Sequence, residues 1–101
     1  MRLISISESP KTDKKLMAVF ENSETKRKKT IHFGAKGMDD YTIIKDKDKA
    51  QAQRERYLKR HVKNENWDNP VSAGALSRFI LWGASTSRAT NIAEYKRRFN
   101  L

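Results

Sequence analysis

The residues most able to act on something outside this chain are its lysines and arginines. Lys26, Arg27, Lys28 and Lys29 form one run, and Arg54, Arg56, Lys59, Arg60 and Lys63 recur along a second stretch. Cations in such density neutralise phosphates or meet acidic protein surfaces. His32, His61, Asp39 and Asp40 offer borderline and hard metal ligands, but their spacing matches no ligand pattern. His61 also falls on apolar helical positions, where a packed histidine is the ordinary outcome. Asp39 and Asp40 make a poor acid–base pair, because adjacent carboxylates on an extended chain point apart. No nucleophile or oxyanion device accompanies them, so a salt bridge to the Lys-rich neighbours is the better expectation. Gly34-Ala35-Lys36-Gly37 follows a predicted strand as a phosphate loop would, yet lacks the Gly-x-x-x-x-Gly-Lys-Ser/Thr spacing. It reads as a turn. No catalytic residue, cofactor or metal is expected, and the chain is not expected to be an enzyme.

Phe33, Tyr41, Trp67, Phe79 and Trp82 are the aromatic candidates. Such rings can stack on bases, but in a small domain they more often fill the core or anchor a protein interface. They are expected here as anchors of that kind.

Charge is the strongest compositional signal. The 101 residues carry 22 basic and 12 acidic side chains, a formal net charge of +10. The excess runs the whole length: residues 1–45 hold 10 basic and 6 acidic groups, and residues 46–101 hold 12 and 6. A surface of this sign favours a polyanion, an acidic protein lattice or anionic lipid heads. There is no cysteine, so disulfides and thiolate metal sites are excluded. Met1–Ile6 is too short an apolar run for a secretory signal, and no run approaches the ~20 residues that span a bilayer. An integral membrane protein is not expected. Helix-turn-helix, zinc-finger and basic-zipper patterns are missing, which argues against sequence-specific DNA readout.

The elements that must position these residues follow from periodicity. Residues 2–7 alternate, with Ile4 and Ile6 on one side and Ser5 and Ser7 on the other, the mark of a half-buried strand. Leu16–Phe20 reads as a second strand and Thr30–Phe33 as a third, with polar turns between them. Three strands with one apolar face are about the minimum for stability, so helices should cover that face. Gly34 and Gly37 bracket a connector where the chain can turn at positive φ. Asp46 or Asp48 caps a helix running to about Lys63, with Ala50, Tyr57, Leu58, His61 and Val62 as its inner stripe. Asn69-Pro70 signals the start of a second helix of about a dozen residues ending near Trp82 and Gly83. Ser85–Ser87 offers caps for a third, with Ile92, Tyr95 and Phe99 on one face. The expected fold is α+β, one domain: a β-meander over 1–34, a connector over 35–45 and a helical part over 46–101.

Several words of the sequence also resemble a known family. They are Lys29-Thr-Ile-His-Phe-Gly-Ala-Lys-Gly-Met-Asp-Asp-Tyr-Thr-Ile43, Lys45-Asp46, Arg56-Tyr57, Arg60-His61, Asn64-Glu65-Asn66-Trp67, Pro70, Ala73-Gly74, Leu76-Ser77-Arg78 and Leu81-Trp82. The family consists of small basic proteins of nucleocytoplasmic large DNA viruses, associated with virions. Ile44 departs from it where the pattern carries a histidine, and Gly74-Ala75-Leu76 lacks its aromatics. The resemblance implies a virion structural protein, made in the host cytoplasm: a minor capsid or cement protein whose partners are the major or minor capsid proteins. The alternative is a non-specific nucleic-acid-binding protein that packages or anchors the genome.

Overall fold

Three antiparallel strands in the order β1-β2-β3 form the N-terminal layer, with β1 over Arg2–Glu8, β2 over Lys14–Glu21 and β3 over Lys28–Ala35. Helix α1 spans Lys47–His61 and α2 spans Ala73–Leu76. A π-helical turn covers Ser77–Leu81, and α3 covers Arg88–Arg98. This is the α+β arrangement expected from the sequence. The computed structural model describes residues 1–63 and 65–101. Asn64, which opens the polar break expected after the first helix, lies outside the described residues.

The first hairpin closes at Ser9, whose N–H donates to the Lys15 carbonyl at 3.0 Å. The Ser9 hydroxyl also lies 2.7 Å from His32 Nδ1 and accepts from Lys11 N–H. The second closes around Asn22, whose side-chain oxygen accepts from the Glu24 and Thr25 amides. That local bond is the usual reason asparagine opens a turn. Lys26 completes it in the left-handed region, φ 62°.

On the inner face of the sheet Leu3, Leu16, Ala18, Phe20 and Phe33 are buried. The pairing explains the set: Phe20 lies opposite Leu3, and Leu16 opposite both Glu8 and Phe33. One expectation fails here. Ile4 does not face inward with Ile6; it is 41% exposed. The register of β1 against β2 shifts between Leu3 and Ser5, and an extra residue in a strand reverses the faces beyond it. Leu3 takes the inner position in its place.

The helices close the core from the other side. Leu76 comes from α2, Ile80 and Leu81 from the π-turn, Trp82 from the residue that caps it, Tyr57 from α1 and Tyr95 from α3. Each large side chain so buried stabilises the fold by about 1.5–3 kcal/mol. Asp46 caps α1 by accepting from the Asp48 and Lys49 amides, as one of the two proposed caps. The inner stripe holds for Ala50, Tyr57, Leu58 and His61 but fails at Val62, which is 53% exposed beyond the helix end.

The second helix differs most from expectation. It starts after Ser72, whose hydroxyl accepts from Ala75 N–H, and not at Asn69-Pro70. The Asn69 side chain instead accepts from Val71 N–H, and its carbonyl accepts from the Ser72 hydroxyl. That local turn lets Val71 pack against the core before the helix begins. After one α-turn the helix widens, and Trp82 N–H reaches back to the Ser77 carbonyl at 3.0 Å. Wide turns of this kind are rare and cluster at functional sites.

Gly34 sits at φ 79°, and a Cβ there would stand 2.6 Å from Leu81 Cδ1; Gly37, at φ 86°, has open space around it. Alanine at Gly37 should therefore cost only the left-handed penalty of about 1 kcal/mol. Gly34→Ala adds crowding against the core and is expected to cost about 2 kcal/mol. Urea unfolding of both variants checks this, and equal losses would refute the steric part.

Candidate partner-binding surfaces

The hairpin residues Lys26, Arg27, Lys28 and Lys29 are all exposed. Lys28 and Lys29 lie opposite Glu21 and Phe20 of β2, at the end of the sheet where β2 runs into β3. On α1, Arg56, Lys59 and Arg60 are exposed as well, and so is Lys63, two residues past the helix end. Spacings of three and four residues place Arg56 with Lys59 and Arg60 along one helix face, over about 6 Å of axis. Lys59 and Arg60 also fall in the last turn, where cations suit the helix dipole.

The two clusters do not merge. Arg60, Tyr57 and His61 share the walls of a cleft of about 300 Å³ with Lys14, Lys15 and Ala35. Those strand residues form the end of the sheet opposite the Lys26–Lys29 hairpin. From Ala35 to Lys28 the strand covers about 23 Å, in a molecule measuring 45 × 27 × 25 Å. The protein therefore carries basic groups near two ends.

Arg54 does not belong to either cluster. Its Nε donates to the Trp82 carbonyl at 3.2 Å and the Gly83 carbonyl at 2.9 Å, and its guanidinium lies 5.6 Å from the centre of the Tyr41 ring. It closes the end of the π-turn. The sequence held the sign of this: Ala50, Arg54, Tyr57 and His61 are separated by four, three and four residues, so Arg54 lies on the inner stripe.

The aromatic anchors separate into two groups. Phe33 is wholly buried and offers nothing to a partner. Trp82 is nearly so, stacked on Tyr57 at 4.7 Å and 10°, while Tyr57 stacks on His61 at 4.3 Å. Burial, with the nearby Glu65 carboxylate, pushes the Tyr57 hydroxyl pKa far above its usual range. Tyr41, Trp67 and Phe79 keep partial exposure. The Trp67 indole donates to Glu65 Oε2 at 2.9 Å, and Phe79 meets the edge of Phe99 at 5.4 Å.

The two aspartates do point apart. Asp39 is exposed, whereas Asp40 is 1% exposed and accepts from Lys15 Nζ at 2.6 Å, Arg88 Nη2 at 3.2 Å, Thr42 N–H at 2.8 Å and the Thr42 hydroxyl at 2.5 Å. Burial raises the Asp40 pKa. The hydrogen bonds from Lys15 and Thr42, with the Lys15 charge, outweigh that and hold it below the usual carboxylate value. His61 Nδ1 lies 2.8 Å from Glu65 Oε1. Among the described residues no three His, Asp or Glu side chains gather as a metal site, and no helix is long and apolar enough to cross a membrane.

Sequence reasoning did not single out Arg78 and Arg98. With Arg54 they line a cavity of about 220 Å³ under the π-turn. Burial, and the charges of Arg54 and Arg98, lower the Arg78 pKa. Neither residue belongs to a charged run that points inward, so only their place in three dimensions brings them together.

No curated protein and no solved structure matches the chain. The model of one family matches residues 4–61, which take in the sheet, the connector and α1. That is more than half of the chain, so the protein belongs to this family, DUF5754, a family of unknown function.

Proposed function

We propose that the protein is a structural binding module of a large DNA virus particle, a minor capsid or cement protein that bridges acidic surfaces of neighbouring capsid proteins. The observation that carries the reading is the separation of the two basic clusters. Lys26–Lys29 stand at one end of the sheet and Arg56, Lys59, Arg60 and Lys63 at the other, on a small body of 45 Å. A molecule that cements a lattice needs two attachment surfaces, and each of these is exposed and carries an excess of positive charge. The sequence resemblance described above supports the setting.

Lysine cross-linking in purified particles tests this. Lys26, Lys28 and Lys29 should link to one capsid surface, and Lys59 and Lys63 to a second. Failure to find the protein in particles, or links confined to one cluster, would refute bridging.

The row of cations on α1, with Lys63 just past its end, favours a second reading, in which that face neutralises phosphates of a genome. Counterion release then gives a slope of about −0.9 per phosphate contacted. Changing Arg56, Lys59, Arg60 and Lys63 to glutamine is expected to flatten the salt dependence of DNA affinity by about 3 to 4 log units per log unit of salt. Binding that is already lost near 150 mM salt, with or without the four changes, would leave the capsid reading alone.

A further inference from the structure

The cavity under the π-turn has an unusual balance of charge. Arg54, Arg78 and Arg98 converge on it, and among its lining residues the one carboxylate is that of Glu94, which is ion-paired to Arg97. Three guanidinium groups seldom share one small space without an anion, because their mutual repulsion is weakly screened away from bulk water. Two of the three are held in place by the fold. Arg54 is fixed through Nε to the carbonyls of Trp82 and Gly83. Arg78 donates from Nη1 to the Trp82 carbonyl at 3.1 Å, and its Nε is buried with no hydrogen-bond partner.

That unused Nε matters. A buried donor left unpaired destabilises the fold, and Nε together with Nη2 forms the edge of a guanidinium that grips an oxyanion with two parallel bonds. Arg98 completes the wall by stacking on Phe79, whose ring centre lies 4.7 Å from its guanidinium and 5.1 Å from that of Arg78.

We propose that this cavity, between α1, the π-turn and α3, is a binding site for a phosphate group. With Glu94 paired to Arg97, the three positive charges of Arg54, Arg78 and Arg98 are left without a counter-charge. That suits a phosphate carrying close to two negative charges at neutral pH better than a single carboxylate. About 220 Å³ is smaller than the roughly 300–1,000 Å³ of sites for drug-sized ligands. The site therefore takes the phosphate itself, free or at the end of a side chain, and leaves any larger body outside. Binding would relieve the repulsion among the three cations. The site is separate from both basic clusters and does not depend on what they bind.

The test is a titration of the full chain in Tris–chloride at constant ionic strength. Inorganic phosphate, O-phosphoserine and acetate are each followed by the arginine Nε resonances. Phosphate should move the Arg78 Nε resonance saturably, and acetate should bind at least tenfold more weakly. Arg98→Gln, at an exposed position that leaves the core intact, should weaken phosphate about tenfold. Lys96→Gln, on the same helix but away from the cavity, should leave it unchanged. Saturable binding of inorganic phosphate supports the site as one for a free ion, and tighter binding of phosphoserine supports a phosphate carried on a protein. An Arg78 signal that does not respond, an equal response to acetate, or equal loss from Arg98→Gln and Lys96→Gln would each overturn the proposal.

Discussion

Asp40→Asn is expected to destabilise the protein by about 3–5 kcal/mol at neutral pH. The substitution keeps the volume and removes only the charge. Asp40 sits between Lys15, 2.6 Å away on β2, and Arg88, 3.2 Å away at the start of α3. Its other oxygen holds Thr42 in the connector through two bonds. One buried carboxylate thus joins the sheet, the connector and the last helix. Lys15 is itself mostly buried, so the loss of its counter-ion leaves a cation that water reaches poorly. An asparagine can still accept hydrogen bonds but cannot balance two positive charges.

The same carboxylate predicts a pH dependence. Its folded pKa is depressed below the ordinary carboxylate value, so its contribution is fully present above the unfolded value and fades as pH falls through the folded one. Wild type and Asp40→Asn should therefore differ by a constant amount from pH 6 to 8 and converge below about pH 4. Urea midpoints across that range measure both effects. A neutral-pH difference under about 1 kcal/mol, or one that grows in acid, would show that the ion pairs are not what holds these elements together.

Much of this arrangement is legible in the residues, and the failures have identifiable causes. Alternation placed the strands, and the stripe through Tyr57 and His61 placed the basic helix against the core. Ile4 was misplaced because a bulge leaves no mark in the hydrophobic pattern. The start of the second helix was misplaced because Asn69-Pro70 also makes a turn, and only the packing of Val71 decides which is formed. The widened turn at Ser77–Leu81 has no periodic signature of its own. On α3 the pattern located Tyr95 but passed over Asn91, which is 1% exposed, because a buried amide looks like a surface residue until its partners are known. The candidate surfaces divide in the same way. The exposed cations were visible as runs, whereas the inward turn of Arg54 and its meeting with Arg78 and Arg98 depend on where the π-turn ends.

Gly83→Ala is expected to destabilise by about 3–5 kcal/mol, although this residue looks from sequence like an ordinary helix stop. Its backbone does not demand glycine; the space around it does. A Cβ would stand 2.4 Å from the Phe79 carbonyl oxygen, 2.6 Å from Asn91 Cγ and 2.7 Å from Asn91 Oδ1. The carbonyl is backbone of the π-turn and cannot swing aside. Asn91 is equally constrained: its amide donates to the Ile80 carbonyl at 2.8 Å and the Ser85 carbonyl at 2.7 Å, and its oxygen accepts from Ser85 N–H at 3.0 Å. Room for a methyl group requires breaking some of these bonds, each leaving a buried group unpaired at about 1–3 kcal/mol, in addition to the overpacking itself. A double-mutant cycle separates the parts. Asn91→Ala alone should be strongly destabilising, yet in the Gly83→Ala background it should cost much less, because the amide network is already lost. Additive losses would mean that the clash lies with the Phe79 carbonyl alone. The Gly83 carbonyl also receives Arg54 Nε, so a shifted turn loosens the Arg54 wall of the arginine cavity. Phosphate affinity in Gly83→Ala should fall together with stability, while the exposed cations of α1 keep their place.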